Sequence, residues 1–398
     1  MTDNNENKVL NVPHLRFPKF SGEWEICKVS ELLDFYSTNS LSWEQLEYGE
    51  KAMMNLHYGL IHVGLPTMVD LRRDKLPNVK EGNMPKNFEL CKEGDVAFAD
   101  ASEDTNEVAK VIELFNLDNK DIVCGLHTIH GRDNKNKTIV GFKGYAFSSS
   151  AFHNQIRRIA QGTKIYSIST KNFSECYVGI PSKAEQTKIA TLLRLIDERI
   201  ATQTKIIEDL KKLKSAISLK MLHSDSWEQF KIQDIASIGR GRVISSVEIS
   251  QQENPLYPVY SSQTSNDGIM GYLDDFMFEG EYISWTTDGA NAGTVFYRNG
   301  KFNCTNVCGL LKLKKGFDAH FVSLVLAEAT RMYVSTNLAN PKLMNNTMGN
   351  IQIRLPKLEE QKRISVVFRK LHGLLETHNS LIIKYSKQKQ YLLSQMFI

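Results

Sequence analysis

The sequence lacks long hydrophobic runs and a dense cysteine pattern. No uncharged apolar stretch approaches the ~20 residues that a bilayer span needs, and the beginning, MTDNNENKVL, does not have the basic and then apolar layout of a signal peptide. The six cysteines are scattered through 398 residues, which is typical of reduced thiols and excludes a small disulfide scaffold. We therefore expect a cytoplasmic protein with no membrane contact, and the length predicts about two or three domains.

Net charge is also small. Lys and Arg number 49 against 45 Asp and Glu, a net charge of +4, so bulk electrostatics does not indicate nucleic-acid binding. The positive charge is concentrated in residues 181–222 and 356–398, which together carry a net charge of +9 and leave −5 for the remainder. Any DNA contact made by the remainder must therefore come from local patches.

Two stretches of the chain repeat each other. PSKAEQTKI, beginning at Pro181, matches PKLEEQKRI, beginning at Pro356. From the last residue of each motif onward, we sampled ten positions at alternating steps of four and three residues, and eight of the ten are apolar in each stretch. The two polar exceptions occupy equivalent positions in the two stretches: Gln203 corresponds to His378, and Lys214 corresponds to Lys389. The first series is Ile189, Leu193, Ile196, Ile200, Gln203, Ile207, Leu210, Lys214, Ile217 and Met221, and the second begins at Ile364 and ends at Met396. A sustained 3.5-residue period without internal proline predicts two coiled-coil helices.

A second repeat marks the beginning of each globular part. SGEWEICKVSEL, from Ser21, matches SDSWEQFKIQDI, from Ser224. The predicted order is an N-terminal arm (1–20), a globular domain (21–180), a helix (181–222), a second globular domain (223–355) and a second helix (356–398). We expect two α/β (α+β) domains joined by two long antiparallel helices, with an internal pseudo-two-fold repeat. Strands are predicted at 95–98, 138–142, 177–180, 281–285, 294–297 and 351–355, and helices at 152–160 and 319–334.

This order of parts resembles the specificity subunit of bacterial type I restriction-modification enzymes. The resemblance rests on the two repeats and on phrases in the second domain, PVYSSQ from Pro258, GANAGTVF from Gly289 and YRNGKF from Tyr297, with looser matches at Tyr58-Gly59 and at QGTK from Gln161. It implies a subunit without catalytic activity, whose two target recognition domains each read one part of a split, asymmetric site in double-stranded DNA. The helices would set the spacer and dock two methyltransferase subunits, to which restriction and translocation subunits add. No cofactor is expected in this chain, because S-adenosylmethionine, ATP and Mg would belong to the partners.

Side chains that can read base edges or hold phosphates occur in loops of both domains. Arg and Lys recognise guanine or phosphate, Asn and Gln recognise adenine, and Ser and Thr contact either base. In the first domain the candidates are Tyr58, Arg72, Arg73, Lys86, Ser148, Ser149 and Arg157. In the second domain they are Arg240, Arg242, Ser261, Ser262, Gln263, Asn266, Thr286, Thr287, Asn291, Arg298 and Lys342.

The helices supply candidates for partner docking and for the helix seam. Glu185, Gln186, Glu360 and Gln361 fall in the first turn after a proline, where they complement the helix dipole. Gln203, Lys214, His378 and Lys389 interrupt the apolar series. They are either edge positions with solvated tips or polar layers that determine the register of the helix pair.

Enzyme and metal signatures are weak. Asn254-Pro255-Leu256-Tyr257 approaches the Asn/Asp-Pro-Pro-aromatic motif of adenine methyltransferases, but leucine replaces the second proline, and no P-loop motif is present. Cys124, His127 and His130 would need further metal ligands from elsewhere, and Cys304 and Cys308 are one residue too far apart for the common knuckle, so we expect no metal site. Trp24 and Trp227 are expected in the core rather than stacked on bases.

Two alternatives remain open. The same architecture could serve a type IIG or IIB-like restriction-methylation enzyme as a separate specificity protein. In the other alternative, the chain is a coiled-coil adaptor whose globular heads bind protein. An adaptor would show no salt-dependent affinity for duplex DNA, whereas a DNA reader must show it through counterion release.

Overall fold

The chain forms two compact units that each combine a globular domain with parts of both long helices. The structure, a computed structural model, describes residues 10–49, 53–335 and 340–398. Unit 1 comprises Met1–Thr204 and Asn379–Ile398, and unit 2 comprises Lys205–His378. In the part of the chain that is described, no helix combines the length and apolarity needed to cross a membrane.

Unit 1 is built from short strands and helices. Its strands are β1 (Glu25–Lys28), β2 (Asp34–Tyr36), β3 (Leu46–Glu47), β4 (Met53–Leu56), β5 (Met68–Asp70), β6 (Asn78–Val79), β7 (Val96–Ala99), β8 (Ala101–Ser102), β9 (Val111–Asn116), β10 (Asp121–Cys124), β11 (Thr128–Arg132), β12 (Tyr166–Ser167) and β13 (Tyr177–Ile180). Its shorter helices are α1 (Val29–Leu32), α2 (Tyr58–His62), α3 (Lys143–Phe147), α4 (Ser150–Ile159) and α5 (Thr170–Ser174). The main sheets have the strand orders β2-β11-β7-β9-β5 and β10-β4-β6-β3, and both mix parallel with antiparallel pairs.

Unit 2 has a different set of sheets. A long helix, α6 (Lys183–Met221), begins in unit 1 and leads into it. The strands that follow are β14 (Glu228–Lys231), β15 (Ala236–Arg240), β16 (Tyr257–Tyr260), β17 (Ile269–Leu273), β18 (Phe278–Glu279), β19 (Tyr282–Thr286), β20 (Val295–Arg298), β21 (Lys301–Cys304), β22 (Cys308–Leu313) and β23 (Gln352–Leu355). The helices are α7 (Ile232–Ile235), α8 (Ser246–Ser250), α9 (Ala319–Ala329), α10 (Asn345–Asn350) and the second long helix, α11 (Leu358–Gln395). The main sheets run β15-β22-β19-β20 and β17-β16-β21-β18.

The repeat seen in the sequence is confirmed where the chain enters and leaves each globular domain. In unit 1, β1 pairs antiparallel with β13, and in unit 2, β14 pairs antiparallel with β23. The next backbone bond is also repeated: Val29 N donates to Cys176 O over 2.8 Å, and Ile232 N donates to Ile351 O over 3.1 Å. In both domains the first and last strands therefore form the same two-stranded antiparallel sheet, which we call the clasp (β1 with β13, and β14 with β23). Each clasp directly precedes a long helix in the chain.

The two long helices bury the predicted seam. All twenty positions of the two apolar series are buried or half-buried. In unit 1, the beginning of α6, at Leu193, shares a core with Leu392 near the end of α11. In unit 2, the end of α6, at Met221, packs in the cluster of Ile364 near the beginning of α11. The beginning of each helix thus lies against the end of the other, which confirms the antiparallel arrangement.

The globular interiors agree with most of the predicted elements. The predicted strands near 95, 177, 281, 294 and 351 correspond to β7, β13, β19, β20 and β23, and the two predicted helices correspond to α4 and α9. Trp24 is buried against Phe397, with ring centroids 6.3 Å apart, and Trp227 is half-buried against Phe321. Both tryptophans therefore pack as expected.

One strand prediction is wrong. Residues 138–142 form turns that lead into α3. Their backbone donors bond to side chains from other elements: Ile139 N donates to Gln186 Oε1 and Gly141 N donates to Glu113 Oε1, each over 2.9 Å. Gly141 has a φ of 92°, which β-branched strand formers do not adopt. These distant partners override the local strand propensity of the segment.

Candidate nucleic-acid interface

A basic groove lies beside the end of β5 in unit 1. Its volume is about 880 Å³, and its lining includes four cations and two carboxylates. The cations are Arg72, Arg73, Lys75 and Lys120, and the carboxylates are Asp74 and Asp121. The groove also contains Tyr48, whose side chain is largely exposed. A concave surface with excess positive charge and an exposed ring offers phosphate contacts and a stacking surface.

The groove cations are positioned by neighbours but remain accessible. Arg72 donates from Nε to Asp70 Oδ1 over 2.9 Å, yet 60% of the Arg72 side chain is exposed. The hydrogen bond from the Arg72 guanidinium holds the pKa of Asp70 below its usual value. Lys120 donates from Nζ to Leu71 O over 2.9 Å, which fixes its stem against the chain that carries Arg72. Arg72 and Arg73 were predicted from the sequence, while Lys120 is brought in from 48 residues away by the fold.

The remaining candidates of the first domain have mixed environments. Lys86 and Arg157 are exposed, and Arg157 Nη1 donates to Asn106 Oδ1 over 3.0 Å. Tyr58 is half-buried, with its ring 4.7 Å from that of His57, and Ser148 donates from its hydroxyl to Gly144 O over 2.7 Å. These residues do not belong to the lining of the basic groove.

Ser149, another candidate of the first domain, is a buried cap of a helix in this structure. It is 1% exposed, and its hydroxyl oxygen accepts a hydrogen bond from Phe152 N as the N-cap of α4. Serine is a preferred N-cap residue because its side chain satisfies a backbone donor that the helix leaves free. Its role in this chain is therefore structural.

The candidate loops of unit 2 present amides and hydroxyls. Asn266 and Asn291 are exposed, and Ser261, Ser262 and Gln263 are half-buried. Asn266 has a left-handed backbone with a φ of 49°, which asparagine tolerates better than most residues. Exposed carboxamides can read adenine, so the chemistry of these loops differs from that of the groove in unit 1.

Three basic candidates of unit 2 have protein partners but are still partly exposed. Arg240 is half-buried and donates from Nε to Asn345 Oδ1 over 2.9 Å, whereas Arg242 is exposed and paired with Glu248. Lys342 Nζ lies 3.7 Å from Asp288 Oδ1 with 41% of its side chain exposed. Arg242 and Lys342 can reach a ligand if their acidic neighbours exchange partners, whereas Arg240 is held by a neutral asparagine.

Three candidates of the second domain are buried. Thr286 and Thr287 are at most 1% exposed, and Thr287 Oγ1 donates to Val307 O over 2.8 Å. Arg298 is 2% exposed, and its Nη1 lies 2.7 Å from Asp267 Oδ2. In this structure the polar atoms of Thr287 and Arg298 face protein partners, so contact of these side chains with DNA stays a prediction that requires the loops to rearrange.

The glutamines of the repeated motif also have a structural role. Gln186 Nε2 donates to Pro181 O over 2.9 Å, and Gln361 Nε2 donates to Pro356 O over 2.8 Å. Gln186 Oε1 accepts from Ile139 N, and Gln361 Oε1 accepts from Asp318 N, both over 2.9 Å. Both side chains are at most 1% exposed. Each glutamine therefore bonds the first turn of a long helix to its globular domain, and neither side chain is accessible to a partner in this structure.

The acidic neighbours of these glutamines differ between the copies. Glu185 is 1% exposed and forms two hydrogen bonds with Arg16, from Nε and Nη2, over 2.7 and 2.8 Å. This pairing places the N-terminal arm on unit 1 and makes Glu185 unavailable to a partner. Glu360 is exposed and remains a candidate for docking.

The polar positions of the seam are half-buried. Lys389 Nζ lies 2.7 Å from Asp197 Oδ1, and the Tyr145 hydroxyl donates to Asp197 Oδ2 over 2.8 Å. This layer within unit 1 favours the register-setting interpretation for Lys389 over that of a solvated edge. Lys214, Gln203 and His378 are half-buried as well.

Basic groove residues give a first prediction. The double variant Arg73→Ala, Lys75→Ala should bind duplex DNA more weakly than the native chain, and the slope of log affinity against log salt should fall by about one per lost phosphate contact. Arg72 is left intact because Asp70 depends on it. The control Arg158→Ala, Lys171→Ala removes the same charge from exposed helix positions outside the groove. Equal losses in both variants would show that only net charge matters.

Comparison with known proteins gives the family. The model described as the type I restriction modification DNA specificity domain matches residues 74–212 and 224–384. The specificity subunit of the type I restriction enzyme MpnII of Mycoplasma pneumoniae is 41% identical over 177 residues, 43% of this chain and 53% of that protein. Another M. pneumoniae protein named as a type I specificity subunit is 35% identical over 249 residues, 58% of this chain and 90% of that protein.

Solved structures show the same fold. The type I restriction-modification S subunit from M. genitalium superposes with a TM-score of 0.67 at 17% identity, covering 97% of this chain and 99% of that chain. A chain solved in work on complex assembly and conformational transition of the type I system gives a TM-score of 0.54 at 14% identity, covering 96% of this chain and 98% of that chain. Because the family model matches both halves of the repeat, the chain belongs to the family of type I restriction-modification DNA specificity subunits.

Proposed function

We propose that this chain is the DNA-reading, non-catalytic subunit of a type I restriction-modification complex. Each globular domain reads one part of a bipartite, asymmetric site in double-stranded DNA, and the two long helices determine the spacing between the parts. Adenine methylation and restriction are carried out by partner subunits, which bring S-adenosylmethionine, ATP and Mg. Membership of the specificity-subunit family supports this proposal at the level of the whole chain.

One observation carries the proposal of two unlike half-sites. The two domains share the clasp at their base and the glutamine bond to a long helix, but their reading surfaces differ. Unit 1 offers a basic groove, and unit 2 offers exposed carboxamides at Asn266 and Asn291. A common frame with different polar surfaces supports recognition of different bases by the same kind of domain.

Docking of methyltransferase subunits is proposed for the outer faces of the long helices. Seven large apolar side chains on these faces are 46 to 76% exposed, although the seam between the helices is buried. They are Leu195, Leu213 and Leu219 on α6, and Val366, Leu374, Ile383 and Tyr391 on α11. Exposed apolar residues beside basic ones are typical of protein interfaces. Restriction subunits would join the complex through the methyltransferase.

The deciding experiment is methylation mapping. The chain is co-expressed with a type I methyltransferase subunit from the same genome, and methylated adenines are mapped across the host DNA. We expect a split, asymmetric motif that appears only when this chain is present. Exchanging residues 24–180 for those of a relative should change one half of the motif and leave the other half and the spacer unchanged.

The exchange has an internal control. Replacing the second domain, residues 227–355, in the same way should change the other half alone. An intact complex that methylates nothing new, with no salt-dependent affinity for duplex DNA, would contradict the proposal and favour an adaptor whose heads bind protein. An exchange that changes both halves at once would contradict independent reading by the two domains.

A further inference from the structure

Two cysteines and a histidine meet in the core of unit 1. The ligand atoms of Cys91, Cys124 and His130 all lie within 4.8 Å of one another, and all three residues are buried. Cys124 ends β10, His130 lies in β11, and Cys91 is held beside β10 because its backbone N donates to Ile122 O over 2.8 Å. Three separate segments therefore supply the cluster.

His130 has one ring nitrogen on a carboxylate and the other without a hydrogen-bond partner. Its Nε2 lies 2.7 Å from Asp95 Oδ2, and both side chains are at most 1% exposed. Its other ring nitrogen, Nδ1, is buried and has no hydrogen-bond partner. A buried nitrogen without a partner is unfavourable, and a metal-bound histidine has its second nitrogen on a carboxylate in many proteins. The carboxylate selects the tautomer in which Nδ1 carries a free lone pair.

The charges around the cluster are balanced for a divalent cation. Asp95 is neutralised by Arg132, whose Nη2 lies 2.8 Å from Asp95 Oδ2. Two thiolates from Cys91 and Cys124 would neutralise a dication, with His130 as a neutral ligand. The resulting centre carries no net charge, so its burial avoids most of the desolvation cost of an isolated ion. Thiolate and imidazole ligands select soft or borderline cations such as zinc over magnesium or calcium.

We propose that Cys91, Cys124 and His130 form a structural binding site for a thiophilic divalent cation, with Zn²⁺ as the expected occupant. The bound ion joins the segment before β7 to β10 and β11, and thereby stabilises the first recognition domain. Zinc in proteins is usually four-coordinate, so a water molecule or another small ligand would supply the fourth ligand. Asp95 acts as a positioning residue, since it bonds to His130 on the side of Nε2.

His127 takes no part in this site. It has a left-handed backbone with a φ of 52°, and its Nδ1 lies 3.2 Å from Asp100 Oδ1 on the surface. Cys304 and Cys308, in unit 2, form a buried pair in which Cys304 Sγ contacts Cys308 O at 3.5 Å. Among the described residues, no third ligand completes that pair. It therefore serves as a matched control.

The main alternative is a disulfide between Cys91 and Cys124. Their sulfur atoms are 3.6 Å apart, well beyond the ~2.05 Å of a covalent S–S bond. Closing the bond would oxidise both thiols and transfer two electrons to an external oxidant. Two sulfur atoms joined in a disulfide cannot also bind a metal ion as thiolates, so the experiment distinguishes a metal site from a disulfide.

The test uses the full chain, purified with a reducing agent that does not bind metals. Bound zinc is measured by elemental mass spectrometry, and the zinc-depleted chain is titrated with Co²⁺, whose thiolate charge-transfer absorption reports sulfur ligation. We expect about one zinc per chain and a saturable cobalt band for the native sequence. Cys124→Ser and His130→Gln should lose the stoichiometric metal and change the band, whereas Cys304→Ser should retain both.

If a variant fails to fold, the zinc content and the cobalt spectrum of the native chain still test the site. Absence of zinc together with absence of a cobalt thiolate band in the reduced native chain would overturn it. Zinc retained at the same stoichiometry by Cys124→Ser would also overturn it. A Cys91–Cys124 disulfide, found by peptide mass spectrometry in chain purified without a reducing agent and lacking zinc, would assign the pair to redox chemistry instead.

Discussion

Arg298→Ala is expected to destabilise the second recognition domain by about 3–5 kcal/mol, as truncation of a large, fully packed side chain does. The guanidinium of Arg298 donates from Nε to Ser284 Oγ over 3.0 Å and from Nη2 to Asp267 O over 2.9 Å. It also lies 3.6 Å from the ring centroid of Tyr260 and 4.4 Å from that of Phe296. Desolvated cation–π contacts add to the loss.

The loss also reaches the candidate reading loop. Asp267, which Arg298 holds, follows Asn266, and both have left-handed backbones with φ of 53° and 49°. Without the arginine this turn loses the contact that stabilises its unfavourable conformation. Weaker DNA binding by Arg298→Ala is therefore expected as an indirect result.

Chemical denaturation with hydrogen exchange of peptides from unit 2 checks this prediction. Arg242→Ala is the matched control, because its side chain is 44% exposed and paired with Glu248. A surface pair of this kind contributes about 0–1 kcal/mol. If Arg298→Ala left stability and exchange unchanged but weakened DNA binding, the side chain would contact DNA directly, and a purely structural role for Arg298 would be wrong.

Gln361→Leu is expected to destabilise unit 2 by about 2–4 kcal/mol, because it leaves one buried and one partly buried backbone group without partners. These groups are the N–H of Asp318, the N-cap of α9, and the carbonyl of Pro356, which precedes α11. Leucine fills a similar volume but offers no polar atom, so neither bond can be replaced. The same substitution at Gln186 should destabilise unit 1 through Ile139 and Pro181.

Exchange of the Asp318 amide measures the effect locally, and denaturation measures it for the unit. Glu360→Leu is the control, since it alters the neighbouring exposed residue of the same helical turn and should change stability by less than about 0.5 kcal/mol. Comparable losses in the two variants would contradict a specific role for the buried amide. Unchanged exchange at Asp318 in Gln361→Leu would do so too.

The sequence predicted those elements that bury a regularly repeating set of apolar residues. The apolar series in α6 and α11 was readable because a helix that packs along its length must repeat apolar residues every 3.5 positions. All twenty series positions are buried or half-buried in the structure. The repeated edge of each domain was equally readable, because two copies of one frame leave matching residues at Trp24 and Trp227. The pairing of β1 with β13 and of β14 with β23 was found only in the structure.

Polar residues were harder to assign, because their role depends on partners far away in the chain. Arg298 and Thr287 have the composition of reading residues, but the fold buries them against Asp267 and Val307. Gln186 resembles a first-turn residue that complements a helix dipole, but its amide is taken by a turn 47 residues earlier. No local sequence pattern distinguishes a polar side chain that is hydrogen-bonded within the protein from one that is free to contact DNA.

The sequence by itself determined the order of parts, the two long helices with their seam, and the family resemblance, since all three depend on periodicity and repetition along the chain. Only the tertiary structure decided which polar groups meet. It placed Lys120 beside Arg72 in the basic groove, and Cys91 beside Cys124 and His130 in the core. Such groupings require strands from separate segments to pair, and the register of that pairing is set by packing across the whole domain.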